Sequence, residues 1–174
     1  EERLTWDRFW LVDPLDGTKE FVKKTGQFTV NIAFIENGEA TLGVVLAPAS
    51  DLEFFAIRDK GAFKRIRQTD PVRIKVSKAD KNKLRIVASR DHAGPKIVTL
   101  LEKLPTAELV SMGSSLKFCL IAEGQADLYP RFIPTMEWDT GAAQCILEEA
   151  GGSVCTLDGY RQEKKKKELR NRSI

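Results

Sequence analysis

Polar and apolar positions along the chain change their period near its middle. Over residues 28–35 they alternate, with Phe28, Val30, Ile32 and Phe34 on one side, and Glu36-Asn37-Gly38 then supplies a hairpin turn. Residues 41–47 read as the returning strand, with β-branched Thr41, Val44 and Val45. Pro48-Ala49-Ser50-Asp51 breaks it before 52–57 resumes, which predicts an antiparallel meander. Residues 66–83 are polar and weakly patterned, a junction between two halves. The second half begins with a short strand over 84–88. Helical spacing follows over 94–104, ending at Pro105, and over 114–123, closing at Gly124. Residues 126–129 read as a strand. A helix over 140–150 opens after Asp139 and stops at Gly151-Gly152, and 153–156 is one more strand. Strands alternating with helices predict a mixed or parallel sheet covered by helices. The expected class is α/β with layered α+β character: an antiparallel-sheet half over 1–82 and an α/β half over 83–174.

With 174 residues, 42% of them hydrophobic and 30% charged, the chain can bury a core, which excludes a disordered polymer. No uncharged apolar run approaches the roughly 20 residues of a membrane span. Cys119, Cys145 and Cys155 are odd in number and sit in apolar contexts, and no signal peptide precedes them. They read as reduced, buried thiols of a cytoplasmic protein. The chain opens Glu1-Glu2-Arg3-Leu4 without an initiator Met. Net charge is +3, and the basic residues Arg161, Lys164, Lys165, Lys166, Lys167, Arg170 and Arg172 crowd the end against only Glu163 and Glu168. Such a run reads as a solvated tail on a near-neutral body, which argues against a nucleic-acid partner.

The chemistry concentrates in Asp13-Pro14-Leu15-Asp16-Gly17-Thr18, directly after the apolar run Phe9-Trp10-Leu11-Val12. A strand ending in two carboxylates, with Pro14 stiffening the loop between them, offers hard oxygen ligands to Mg²⁺. Gly17, Thr18 and Lys19 begin a helix whose free N–H groups suit a phosphate. Trp138-Asp139-Thr140-Gly141-Ala142-Ala143 places a third carboxylate at a helix start, followed by small residues that permit close approach. Asp13, Asp16 and Asp139 gathered together would repel one another unless a cation sat among them. The alternative reading of each motif is plain: a turn with an Asp cap, and a helix N-cap.

WLVDPLDGTKEF, FTVNIAFIENGEATLGVVLAP, GSSLKFCLIAEGQADLYPRF and PTMEWDTGAAQCILEEAGG together resemble the inositol monophosphatase superfamily of metal-dependent, lithium-sensitive phosphatases. Among its branches the sequence is most similar to the bacterial 3′(2′),5′-bisphosphate nucleotidases. That resemblance implies the sugar-phosphatase fold shared with fructose-1,6-bisphosphatases, and two or three Mg²⁺ ions per site. Asp13 would bridge two of them, with the Leu15 carbonyl on the first and Asp16 and Asp139 on the second. It implies that Gly17 and Thr18 N–H groups hold the phosphate and that the Thr18 hydroxyl orients the attacking water. Paired cations about 3.5–4 Å apart clamp both oxygens of an in-line displacement. Ser114, Lys117 and Arg131 would face a second phosphate, with Ser115 also among the substrate-binding residues and His92 near the nucleobase. Inositol phosphatases tend to carry an acidic residue at the place of Arg131, whose guanidinium instead suits phosphate.

The expected activity is Mg²⁺-dependent hydrolysis of the 3′-phosphate of adenosine 3′,5′-bisphosphate, a reaction of sulfur metabolism, by a monomer or homodimer. Members of this superfamily also carry a Ser-Glu-Glu-type motif upstream of the Asp-Pro-Leu-Asp loop, and its Glu ligates metal. No such motif lies in this sequence, so the resemblance implies a pattern incomplete at its N-terminal end, helices included, with one face of the meander left apolar and exposed. Two alternatives therefore stand beside the nucleotidase: an inositol or sugar monophosphatase, and a catalytically silent binding or assembly module.

Overall fold

The computed structural model describes residues 2–89, 94–162, 164, 169–171 and 173–174. Strands β1 (Arg8–Asp16), β2 (Thr29–Glu36), β3 (Glu39–Ala47), β4 (Leu52–Ile57), β5 (Gly61–Ile66) and β6 (Val72–Ile74) lie side by side in chain order. Every neighbouring pair is antiparallel. The β2–β3 hairpin turns through Asn37 at φ 51° and Gly38 at φ 82°, both left-handed as a two-residue turn of matching twist requires. A short helix, α1 (Thr18–Val22), leaves the end of β1.

The second half holds β7 (Arg85–Ala88), α2 (Pro95–Lys103), β8 (Glu108–Ser111), α3 (Leu116–Ala122) and α4 (Glu137–Glu149). β7 and β8 pair in parallel, and Leu128 adds one parallel bridge to Ile86. The expected mixed architecture is present, with local differences. β6 lies within the stretch read as a junction; it is a three-residue edge strand, too short to show a period. β8 has four residues and is mostly exposed. Residues 126–129 and 153–156 form only isolated bridges, at Leu128 and Cys155.

Helix α4 covers one face of the sheet, and the reason is steric. A Cβ on Gly43 would stand 2.3 Å from the Ala142 carbonyl oxygen, and one on Gly141 would stand 3.0 Å from Leu11 Cδ2. At position 43 only glycine lets helix and strand backbones approach so closely, whereas at 141 the neighbours are side chains. The burial of β2 follows: Thr29, Asn31, Ala33 and Ile35 point into the core, whereas Val30, Ile32 and Phe34 are half-buried. The core joins both halves, with Ile35, Val45 and Phe54 against Cys119, Ile146 and Leu147. On the opposite sheet face Trp10, Val12 and Leu46 are exposed, and the Trp10 and Phe34 rings lie 4.8 Å apart.

Two expectations need correction. Cys119 and Cys145 are buried free thiols, but Cys155 is half-exposed. The basic tail is not uniformly solvated where it is described. Arg161 pairs with Glu148 and Glu39, and Lys164 is buried with Nζ donating to Thr140 Oγ1 at 2.7 Å. Ion pairs and hydrogen bonds replace the water those cations give up. Among the described residues no helix is long and apolar enough to cross a membrane.

Candidate active site

The carboxylate cluster is made by a bulge. Asp13 faces Asn31 across the ladder, yet Asp16 faces Thr29, so β1 carries one extra residue between two pairs. In a regular strand residues three apart point to opposite faces; the extra residue returns Asp16 to the face of Asp13. Pro14, which has no N–H to give to a ladder, sits inside this irregularity. The Leu15 N–H donates to Asp13 Oδ1 at 3.0 Å, fixing the first carboxylate.

Asp139 arrives from the other half. It is the third residue of α4, rather than the cap preceding the helix, and its carboxylate accepts the Met136 N–H at 2.7 Å. Because Gly43 and Ala142 set α4 against the sheet, that first turn ends over the bulge. Asp13, Asp16 and Asp139 then offer oxygens all within 4.8 Å of one another. Burial raises the Asp13 pKa above its ordinary value, helped by the Asp16 charge and opposed by the Leu15 N–H. Burial also pushes Asp139 up to about 6, against the Met136 N–H and with the charges of Asp16 and Asp13. Three crowded carboxylates, with the affinity of Asp13 and Asp139 for protons raised, suit a hard divalent cation, so the donor set fits the metal implied by the sequence.

Asp16 is held by residues that the motif did not mark. Its Oδ2 accepts the Ser115 N–H at 2.6 Å, the Ser115 hydroxyl at 2.7 Å, and longer 3.4 Å contacts from Thr29 Oγ1 and Asn31 Nδ2. Asn31 also donates to Ser115 Oγ at 2.9 Å. Thr29 and Asn31 escaped sequence reading, although one signal existed: they are the polar members of the inward set on an otherwise apolar strand.

The cluster opens into a cavity of about 270 Å³, lined by Asp16, Gly17, Thr18, Ser114, Ser115, Lys117, Arg131 and Asp139 among others. Gly17 has φ 85°, and a Cβ there would press at 3.1 Å on both Gln27 O and Ser114 Cβ. Ser114, itself left-handed at φ 46°, has a buried hydroxyl without a hydrogen-bond partner among the described residues. Lys117 is buried, its Nζ donating to the Ser114 carbonyl at 2.7 Å and lying 5.3 Å from the Tyr129 ring centre. Burial lowers its pKa to about 8; the Asp16 charge opposes and the Arg131 charge adds to that shift. Arg131 Nε donates to the Ile133 carbonyl at 3.2 Å. The structure thus gathers Asp13, Asp16, Gly17, Thr18, Ser114, Ser115, Lys117, Arg131 and Asp139. Leu15 lies at the bulge, and His92 lies outside the described residues.

The model of the inositol monophosphatase family matches residues 1–173. The chain is 49% identical over 159 residues to the 3′(2′),5′-bisphosphate nucleotidase CysQ of Salmonella typhimurium, covering 91% of this chain and 63% of that one. It is 48% identical to the same enzyme of Escherichia coli strain K12 over the same shares of both chains. The crystal structure of CysQ from Bacteroides thetaiotaomicron, described as a bacterial member of the inositol monophosphatase family, superposes with a TM-score of 0.89. It is 39% identical, and the match covers 99% of this chain and 70% of that one. The chain therefore spans just under two thirds of the length of the curated relatives it matches. With the bulged carboxylate strand, the helix that brings the third carboxylate and this match over nearly every residue, the chain belongs to the inositol monophosphatase family.

Proposed function

We propose that the protein is a Mg²⁺-dependent phosphomonoesterase that removes the 3′-phosphate of adenosine 3′,5′-bisphosphate, leaving AMP and inorganic phosphate. One observation carries this reading. One cavity is lined both by the carboxylates Asp16 and Asp139 and by the cations Lys117 and Arg131, so it offers a metal-assisted centre and a second anion site to one small molecule. The enzymes to which the chain is 49% and 48% identical are bisphosphate nucleotidases, which supports the same substrate class.

Asp13, Asp16, Asp139 and the Leu15 carbonyl would hold Mg²⁺, two or three ions per site. Bound there, the metal supplies an acidified water and neutralises charge on the phosphoryl oxygens. The chain's own groups do the rest. The N–H groups of Gly17 and Thr18 hold the phosphate that is cleaved, and the Thr18 hydroxyl orients the water. The partnerless Ser114 hydroxyl and the Lys117 ammonium face the second phosphate, to which Arg131 can donate two parallel bonds. Water attacks phosphorus, the P–O bond to the ribose breaks, and the leaving oxygen takes a proton to become the 3′-hydroxyl. No group of the chain becomes covalently linked to phosphate. We place this activity in the cytoplasm, in a monomer or homodimer without nucleic-acid or membrane partners.

The test is phosphate release from adenosine 3′,5′-bisphosphate and from inositol 1-phosphate, each with and without Mg²⁺, for the wild type and Arg131→Glu. Mg²⁺-dependent release from the bisphosphate, lost in Arg131→Glu, supports the nucleotidase. Release from inositol 1-phosphate that ignores Arg131→Glu supports a sugar monophosphatase instead. Nucleotide binding that ignores Mg²⁺, with no release from either, identifies a binding module.

A further inference from the structure

The segment that carries Arg131 has no helix or strand of its own, and what holds it is the last stretch of the chain. The Arg131 N–H donates to the Ile174 carbonyl at 2.5 Å and the Ile174 N–H returns to the Arg131 carbonyl at 3.0 Å. The Ser173 hydroxyl donates to the Phe132 carbonyl at 3.2 Å, the Asn171 N–H to the Thr135 carbonyl at 2.7 Å, and the Glu137 N–H to the Leu169 carbonyl at 2.8 Å. Residues 169–171 and 173–174 thus run antiparallel along 131–137 as a strap.

Ile174 of this strap packs against the core, and Asn171 turns a polar side chain inward. Asn171 is only 3% exposed, and its amide nitrogen donates to Thr135 Oγ1 at 3.0 Å, to the Met136 carbonyl at 2.7 Å and to Thr140 Oγ1 at 2.9 Å. Two N–H bonds shared among three acceptors tie three points together. Thr135 and Thr140 both line the cavity, and Thr140 follows Asp139 in the first turn of α4. Thr140 Oγ1 accepts a second donor, Lys164 Nζ at 2.7 Å, and its own proton points to the Glu137 carbonyl at 3.4 Å. The hydroxyl is therefore fully used, and its geometry is set by the two donors. An amide is the side chain this place demands: the Met136 carbonyl can only accept, so a carboxylate of the same shape would meet it lone pair to lone pair.

We propose that Asn171 is a positioning residue that fixes the segment carrying Arg131 relative to the first turn of α4 carrying Asp139, both of which line the cavity, and so sets the preference for a substrate with two phosphates. The inference rests on the reading of Arg131 as the second-phosphate group. A guanidinium that donates two parallel bonds is sensitive to placement, whereas the phosphate at Gly17 and Thr18 contacts a different part of the chain.

The experiment titrates adenosine 3′,5′-bisphosphate and adenosine 3′-monophosphate, which lacks the second phosphate, into the full chain calorimetrically, with EDTA present so that no turnover intrudes. Wild type, Asn171→Ala, Arg131→Ala and the double variant are compared, with Tm measured for each. The expected result is a wild-type preference for the bisphosphate that falls about tenfold in Asn171→Ala, with affinity for the 3′-monophosphate within about twofold and the double variant no worse than Arg131→Ala alone. Thr135→Val, which removes one acceptor and leaves Asn171 in place, should lose part of the same preference and stands in if Asn171→Ala does not fold. Equal weakening of both ligands, or full additivity with Arg131→Ala, overturns the positioning role and leaves a packing residue. No preference in the wild type, or one indifferent to Arg131→Ala, overturns the reading of Arg131 and this inference with it.

Discussion

The N–H and the hydroxyl of Ser115 converge on one carboxylate oxygen of Asp16, at 2.6 and 2.7 Å, across 99 residues of chain. The same hydroxyl lies 2.9 Å from the Asp139 carbonyl, so Ser115 joins the sheet carboxylate to the helix that carries its partner. Residues that orient a metal ligand set its affinity nearly as much as the ligand does.

Ser115→Ala keeps the N–H and loses the hydroxyl. Mg²⁺ affinity should fall about tenfold, with Tm of the metal-free chain changed little by comparison. Calorimetric titration of Mg²⁺ checks it; unchanged affinity would show that the N–H alone orients Asp16.

The raised pKa values of Asp13 and Asp139 make metal and protons competitors. Asp139 sits at about 6 in the fold, above an ordinary carboxylate, so its ionisation costs the metal-free fold stability as pH rises through about 6. Mg²⁺ relieves that cost. Millimolar Mg²⁺ should therefore raise Tm more at pH 7.5 than at pH 5, and a shift of equal size at both would contradict the assignment.

Asp13→Asn removes one of the crowded charges. At pH 7.5 the metal-free variant should melt at or above the wild-type temperature, and the Mg²⁺-induced rise should vanish along with phosphate release. Near-normal turnover would sink the metal assignment.

Gly43→Ala tests the packing that brings Asp139 to the bulge. Its Cβ meets the Ala142 backbone at 2.3 Å, and backbone cannot rotate away. A loss of about 1–3 kcal/mol in urea unfolding is expected, with weaker Mg²⁺ binding because α4 is displaced.

Away from the site, Asp127 accepts two bonds from the Arg85 guanidinium, at 2.7 and 2.9 Å, and one from Ser77 at 2.8 Å. These bonds hold its carboxyl at about 2, below the usual value, so the stability it contributes is present above about pH 4 and is lost as pH falls through 2. Asp127→Asn should destabilise at neutral pH by about 2 kcal/mol. The gap should close in acid, as urea titrations at pH 7 and pH 2 would show.

Local order was legible wherever the chain reports its own neighbours. The Asn37-Gly38 turn, the alternating strands around it and the Gly151 stop are short-range chemistry, and all appear in the fold. The Asp-Pro-Leu-Asp and Trp-Asp-Thr-Gly motifs likewise marked the carboxylates that the fold gathers and the small residues at the close helix approach. Other features belong to the tertiary structure alone. The bulge that turns Asp16 onto the face of Asp13 depends on pairing with β2. The roles of Thr29 and Asn31 depend on which face α4 covers, and Asn171 acquires its role only when the end of the chain lies along 131–137. A sequence carries propensities over a few residues. Which distant groups share one cavity is decided by the free energy of burying a common core, and that term exists only once the whole chain is packed.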